Sequence, residues 1–108
     1  MEARLSARAK RDLEFIFAHI CGQQSEKAAE RFLALVRKST EFISKHPLAG
    51  PHPRWATRHR SLRFWVISRT NFLIYYFADE HGVSTERVLD GCRDVARIME
   101  RGVEDAPD

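Results

Sequence analysis

The six residues Phe72, Leu73, Ile74, Tyr75, Tyr76 and Phe77 are apolar whichever way an extended chain turns them. Aromatic and β-branched side chains favour a pleated strand, and a strand apolar on both faces has to be central and covered from two sides. A second such run, Phe64 to Ile67, precedes it across the short polar stretch Ser68–Asn71, so the two runs predict adjacent strands joined by a turn. From Arg60 to Ile67 the alternation is partial, with Leu62, Phe64 and Val66 on one face and Ser61, Arg63 and Trp65 on the other. A turn at His81–Gly82 leads into a further strand, Val83 to Gly91, centred on Val88 and Leu89.

Such a sheet needs cover, and the N-terminal half supplies it. Ser6 is a predicted N-cap for a helix over Ala7–Ile20, with Ala9, Leu13, Ile16 and Ile20 on one face. Gly22 suits the end of that helix. Ser25 is a second predicted N-cap, for a helix running to about Lys45 with Ala28, Phe32, Leu35, Val36 and Ile43 as its apolar stripe. Lys10, Arg11, Lys27, Arg31, Arg37 and Lys38 fall largely off these stripes and read as a solvated outer face. Two amphipathic helices with a short link form an antiparallel hairpin, which has to bury its stripes on the strands. Ala9, Leu13, Ile16, Phe32, Leu35 and Val36 are therefore expected in the core.

Between helices and strands lies His46–Pro53, where Pro47, Pro51 and Pro53 bar regular helix and Gly50 allows a tight turn. His46 and His52 read as loop residues, because no Cys or carboxylate stands nearby at metal-ligand spacing. Residues 2–5 are expected to add a short strand, Asp94 to cap a last helix over Val95–Arg101, and the acidic tail 102–108 to fray. The result is one α+β domain over residues 1–108. It has two layers, an antiparallel β-sheet packed against an N-terminal α-helical hairpin, in (β)ααβββ(α) order.

Charge separates the middle of the chain from the rest. Residues 42–78 hold Lys45, Arg54, Arg58, Arg60, Arg63 and Arg69 with no Asp or Glu, a formal +6 in a chain whose total is +3, which leaves −3 elsewhere. A pool of positive charge attracts and steers an anionic partner. Arg58, Arg60, Arg63, Trp65, Arg69, Tyr76 and Arg93 are the candidates for contact with a partner or target. Each has a structural alternative: a salt bridge or backbone hydrogen bond for Arg60, a pair with Asp90 or Asp94 for Arg93, and packing for Trp65 and Tyr76. Ser61 and Ser68 lack a nucleophile-elbow context, and the chain carries neither a phosphate loop nor a metal motif, so no cofactor is expected. No apolar run approaches a membrane span and the N-terminus has no apolar signal region, so Cys21 and Cys92 read as reduced thiols of a cytoplasmic protein.

These stretches together resemble the ParE/RelE superfamily of type II toxin–antitoxin toxins, and within it the ParE branch, which stabilises plasmids. Leu5–Ser6, Ala9, Asp12–Leu13 and Ile16 resemble the family's opening helix, and Phe42, Pro47 and Gly50 its helix end and loop. Arg60–Ser61–Leu62 resembles the arginine-led strand, Leu73–Ile74–Tyr75–Tyr76 the tyrosine strand, and Val88–Leu89, Gly91 and Arg93–Asp94 the closing segment. The resemblance implies a growth-inhibiting toxin that targets DNA gyrase, blocks replication and is neutralised by a ParD-like antitoxin whose acidic, apolar C-terminal segment covers it. RelE-like relatives instead cut messenger RNA on the ribosome. Two family cations used in that chemistry are replaced here by Phe77 and Asp90, which favours gyrase inhibition without an acid–base pair over endoribonuclease activity. A non-enzymatic nucleic-acid-binding domain stays open as a third reading, since a basic aromatic hairpin also suits RNA or single-stranded DNA.

Overall fold

The computed structural model describes residues 2–56, 58, 61–91, 97 and 98. Among them the chain runs β1 (Glu2–Leu5), α1 (Ala7–Gln23), α2 (Glu26–Lys45), β2 (Leu62–Val66), β3 (Phe72–Asp79) and β4 (Gly82–Asp90). The strands form one sheet in the order β1-β4-β3-β2. β2, β3 and β4 pair antiparallel, as the hairpin pattern requires, while β1 joins the far edge parallel to β4 and makes the sheet mixed. β3 is interior to the sheet, as its two-sided apolar run demands.

Both helices begin where a serine oxygen can satisfy an otherwise unpaired amide. Ser6 Oγ accepts from Ala9 N–H at 3.0 Å and Ser25 Oγ accepts from Ala28 N–H at 3.0 Å. Ser6 also ties α1 to the sheet, since its hydroxyl donates to the Glu86 carbonyl at 2.7 Å and its N–H to the Thr85 carbonyl at 2.9 Å. α1 continues through Gly22 to Gln23, and Gln24 N–H closes it on the Ile20 carbonyl. Gly22 therefore lies inside the helix rather than beyond its end.

Helix and sheet meet in a core of Ile16, Phe32, Val36, Ile43, Ile67, Ile74, Tyr76, Val83 and Val88. Of the six residues expected there, Ala9, Ile16, Phe32 and Val36 are buried, while Leu13 and Leu35 pack half-buried at its margin. A second cluster of Ala56, Leu62, Tyr75 and Leu89 lies apart from the first, with Trp55, Phe64, Leu73, Phe77 and Ile98 packed against it. Adjacent β3 residues Ile74 and Tyr75 divide between the two clusters, as the alternation of a strand covered on both faces dictates. Val66, expected beside Leu62 and Phe64, is half exposed at the end of the edge strand β2.

Two irregularities shape the sheet. Between Tyr75 and Tyr76 the partner on β4 jumps from Arg87 to Thr85, leaving Glu86 as the extra residue of a β-bulge. The β2–β3 turn is closed by Thr70 N–H on the Ile67 carbonyl, with Arg69 left-handed at φ 65°. The final helix over Val95–Arg101 and the tail 102–108 lie outside the described residues, apart from Arg97 and Ile98, which are helical.

Candidate functional site

The described part of the basic middle of the sequence forms the loop 46–56, β2 and the β2–β3 turn. Pro47 and Pro51 keep the loop out of helix, and β2 then presents an edge that the loop covers. Phe64 N–H donates to the Pro51 carbonyl at 3.0 Å, and His52 Nδ1 lies 2.9 Å from the Leu62 carbonyl. An edge partly paired in this way is poorly suited to strand addition at those residues.

Arg63 and Tyr76 hold the loop from within. Arg63 donates to the Leu48 carbonyl at 3.2 Å and to the Gly50 carbonyl at 2.7 Å. The Tyr76 hydroxyl donates to the Pro47 carbonyl at 2.9 Å and accepts from Gly50 N–H at 3.0 Å. A Cβ at Gly50 would collide with the Phe64 carbonyl oxygen and the Tyr76 ring, so only glycine fits that close approach. Burial pushes the Tyr76 phenol above its ordinary pKa, against the opposing pull of the Gly50 amide and Arg63. Burial alone pushes its neighbour Tyr75 up to about 12. Neither phenol is poised to exchange a proton at neutral pH.

The structure thus sorts the candidate contact residues. Arg69 is exposed at the tip of the β2–β3 turn, and Arg58 is exposed on the loop before β2. Trp65 is half-buried, stacked on Phe42 of α2 with ring centroids 4.9 Å apart. Arg63 is half-buried and spends one guanidinium nitrogen, Nη1, on two loop carbonyls. Tyr76 is fully buried, so it positions the loop and presents no surface of its own. Arg60 and Arg93 lie outside the described residues, as does Cys92.

Two features of the structure are not among the candidates read from the sequence. Asp12 and Arg87 form a bidentate pair, Nε to Oδ2 at 2.8 Å and the second nitrogen to Oδ1 at 2.9 Å, and Asp12 also accepts from Val88 N–H at 3.0 Å. This pair fastens α1 to β4. The other is the flank of α2 that faces β2. There Phe42 is 41 % exposed and lies between Trp65 and His46, whose ring centroid is 4.7 Å away, while Leu48 on the adjoining loop is 72 % exposed. The signal available was a second stripe on α2, outside the one needed for the core.

Comparisons with known proteins agree with this architecture. The family model described as ParE toxin of type II toxin-antitoxin system, parDE, matches residues 3–95. Among solved structures, the chromosomal ParDE TA system from P. aeruginosa superimposes with a TM-score of 0.69 at 13% identity, covering 82% of this chain and 92% of that one. At that identity the likeness is one of fold. No curated protein matches at the sequence level.

Proposed function

This chain belongs to the ParE toxin family of type II toxin–antitoxin systems, and from that premise we propose that it inhibits DNA gyrase, blocks replication and is held inactive by a ParD-like antitoxin. The observation that carries the choice of gyrase over messenger RNA is the state of the strand tyrosine. A ribonuclease needs an acid and a base within hydrogen-bond reach of the scissile phosphate. Here Tyr76 is fully buried with its hydroxyl engaged by Pro47 and Gly50, and Phe77 beside it packs into the second apolar cluster. A protein that acts by binding needs no such pair, only a rigid surface.

In this reading the toxin works in the bacterial cytoplasm, and no helix among the described residues is long and apolar enough to cross a membrane. Arg58 and Arg69, with Arg60 and Arg93, are the proposed contacts to target or antitoxin, and Trp65 is a further proposed contact. The test is a supercoiling assay with purified gyrase and relaxed plasmid. Loss of supercoiling or accumulation of cleaved DNA is the expected result. Messenger RNA cleavage on translating ribosomes, with supercoiling intact, would overturn it in favour of RelE-like ribonuclease activity.

A further inference from the structure

Arg69 holds the third position of the turn Ile67–Thr70 between β2 and β3. Its φ of 65° lies in the left-handed region, where no other non-glycine among the described residues is found. A Cβ crowds the following carbonyl oxygen there, so glycine or asparagine is the usual occupant. The fold does not ask for an arginine at this point. Thr70 closes the turn by donating its N–H and its hydroxyl to the Ile67 carbonyl, at 3.1 and 2.8 Å, and Phe72 N–H donates to Thr70 Oγ1 at 3.0 Å. From β4, Gly91 N–H braces the Asn71 carbonyl at 2.7 Å. The Arg69 side chain is exposed and makes no hydrogen bond or ion pair with the rest of the chain. Strain that the fold neither needs nor relieves points to a contact outside the molecule.

The chemistry of the tip says what that contact is. Ser68, Arg69 and Asn71 are exposed, each carries a side-chain donor, and none of the residues 68–71 is apolar. No Asp or Glu lies between Glu41 and Asp79 in the chain, and Asp90, opposite Phe72 on β4, is already engaged. Arginine, serine and asparagine are side chains that contact nucleic-acid phosphates, and the guanidinium fork matches phosphate geometry. A protein contact is built round an apolar centre, which this tip lacks. We propose that the β2–β3 turn is a phosphate-contacting finger, in which Arg69, with Ser68 and Asn71 beside it, binds a phosphodiester of the DNA duplex held by gyrase. The proposal rests on the gyrase reading above and makes the DNA, as well as the enzyme, part of what the toxin grips. A cation carried on a braced turn loses less freedom on binding than one on a loose loop, which gives the strained backbone its use.

The test uses the full-length chain with purified gyrase, both free and loaded with a linear DNA duplex. Arg69→Gly removes the cation and the strain together, so two readouts should move in opposite directions. The variant should melt a few degrees above wild type. It should also bind the gyrase–DNA complex several-fold more weakly, with the slope of log affinity against log salt reduced by about one. Its binding to DNA-free gyrase should match wild type. Arg69→Lys keeps both cation and strain, so it should melt with wild type and retain most of the salt slope. No gain in melting temperature for Arg69→Gly would remove the strain on which the inference stands. A higher melt with unchanged binding and salt slope on the DNA complex would overturn the finger and leave gyrase inhibition standing. Equal weakening with and without DNA would assign Arg69 to the gyrase protein instead, and faster antitoxin dissociation with gyrase binding unchanged would assign it to the antitoxin. Wild-type chain that binds gyrase in neither state would bring down both readings.

Discussion

Arg63 and Tyr76 stand opposite each other across β2 and β3, and both direct their polar atoms into the same loop. The basic residue and the aromatic residue that the sequence offers as surface contacts are thus the inner anchors of residues 47–50. What they present to a partner is the loop, with Leu48 at its tip.

Removing one anchor tests this arrangement. Tyr76→Phe keeps the buried ring but strands Gly50 N–H and the Pro47 carbonyl, at a cost of about 1–3 kcal/mol for unsatisfied buried groups. Gly50→Ala should cost more, because its Cβ meets backbone at Phe64 as well as the Tyr76 ring. Urea melts give the stability, and hydrogen exchange of the Gly50 amide reports the loop itself. Unchanged protection of that amide in Tyr76→Phe would show that the hydroxyl does not hold the loop.

The Asp12–Arg87 pair is nearly buried, with side chains 14 % and 17 % exposed. The carboxylate, first through its hydrogen bonds, holds the Arg87 guanidinium above its ordinary pKa. Asp12→Ala leaves that guanidinium stranded and Val88 N–H unpaired, for an expected loss of roughly 3–5 kcal/mol. Adding Arg87→Met should recover part of the loss. Strict additivity of the two substitutions in urea melts would mean that the pair is not a coupled clamp.

Tyrosine titration gives a pH prediction with a definite sign. The chain has two tyrosines, and burial raises both folded-state pKa values, Tyr75 to about 12. Unfolded phenols titrate near 10. The native state therefore prefers the neutral phenol, so this contribution to stability is complete below pH 10 and is lost as pH climbs from about 10 toward 12. Ultraviolet absorbance should show no phenolate forming at the ordinary pKa while the fold persists. A native-state titration centred near 10 would refute the burial assigned to these rings.

What the sequence made legible follows from how local each signal is. The serine caps, the periodicity of Ala9–Ile16 and of Phe32–Ile43, and the two-sided apolar run of β3 are set by neighbouring residues. They located the hairpin of helices and the strands it covers. The parallel pairing of β1 with β4 depends on residues some eighty positions away, and a four-residue strand carries no mark of its direction. Gly22 misled because α1, packed along β4 and α2, tolerates a glycine near its end. Arg63 and Tyr76 looked like contact residues because their partners are backbone carbonyls and an amide, which no side-chain pattern reveals. Phe42, seen as a helix-end residue, became part of a surface only when folding set Trp65 against it.

The role of Arg63 changes how charge steering should be tested. Residues 42–78 carry +6, and reversing Arg63 would release the loop as well as remove charge. Arg54 and Arg69 are exposed and lie in the same basic segment, so Arg54→Glu with Arg69→Glu lowers the segment from +6 to +2 without touching the anchors. Rim charges act mainly on encounter, through a field that salt screens over about 8–10 Å near physiological ionic strength. The double reversal should therefore slow antitoxin association, flatten its dependence on salt and leave dissociation close to wild type, because dissociation is governed by the buried apolar contacts. Stopped-flow association across a salt series, with a thermal melt to confirm the fold, separates these effects. An unchanged association rate with an unchanged salt slope would show that the basic segment does not guide the antitoxin, even if the two proteins bind.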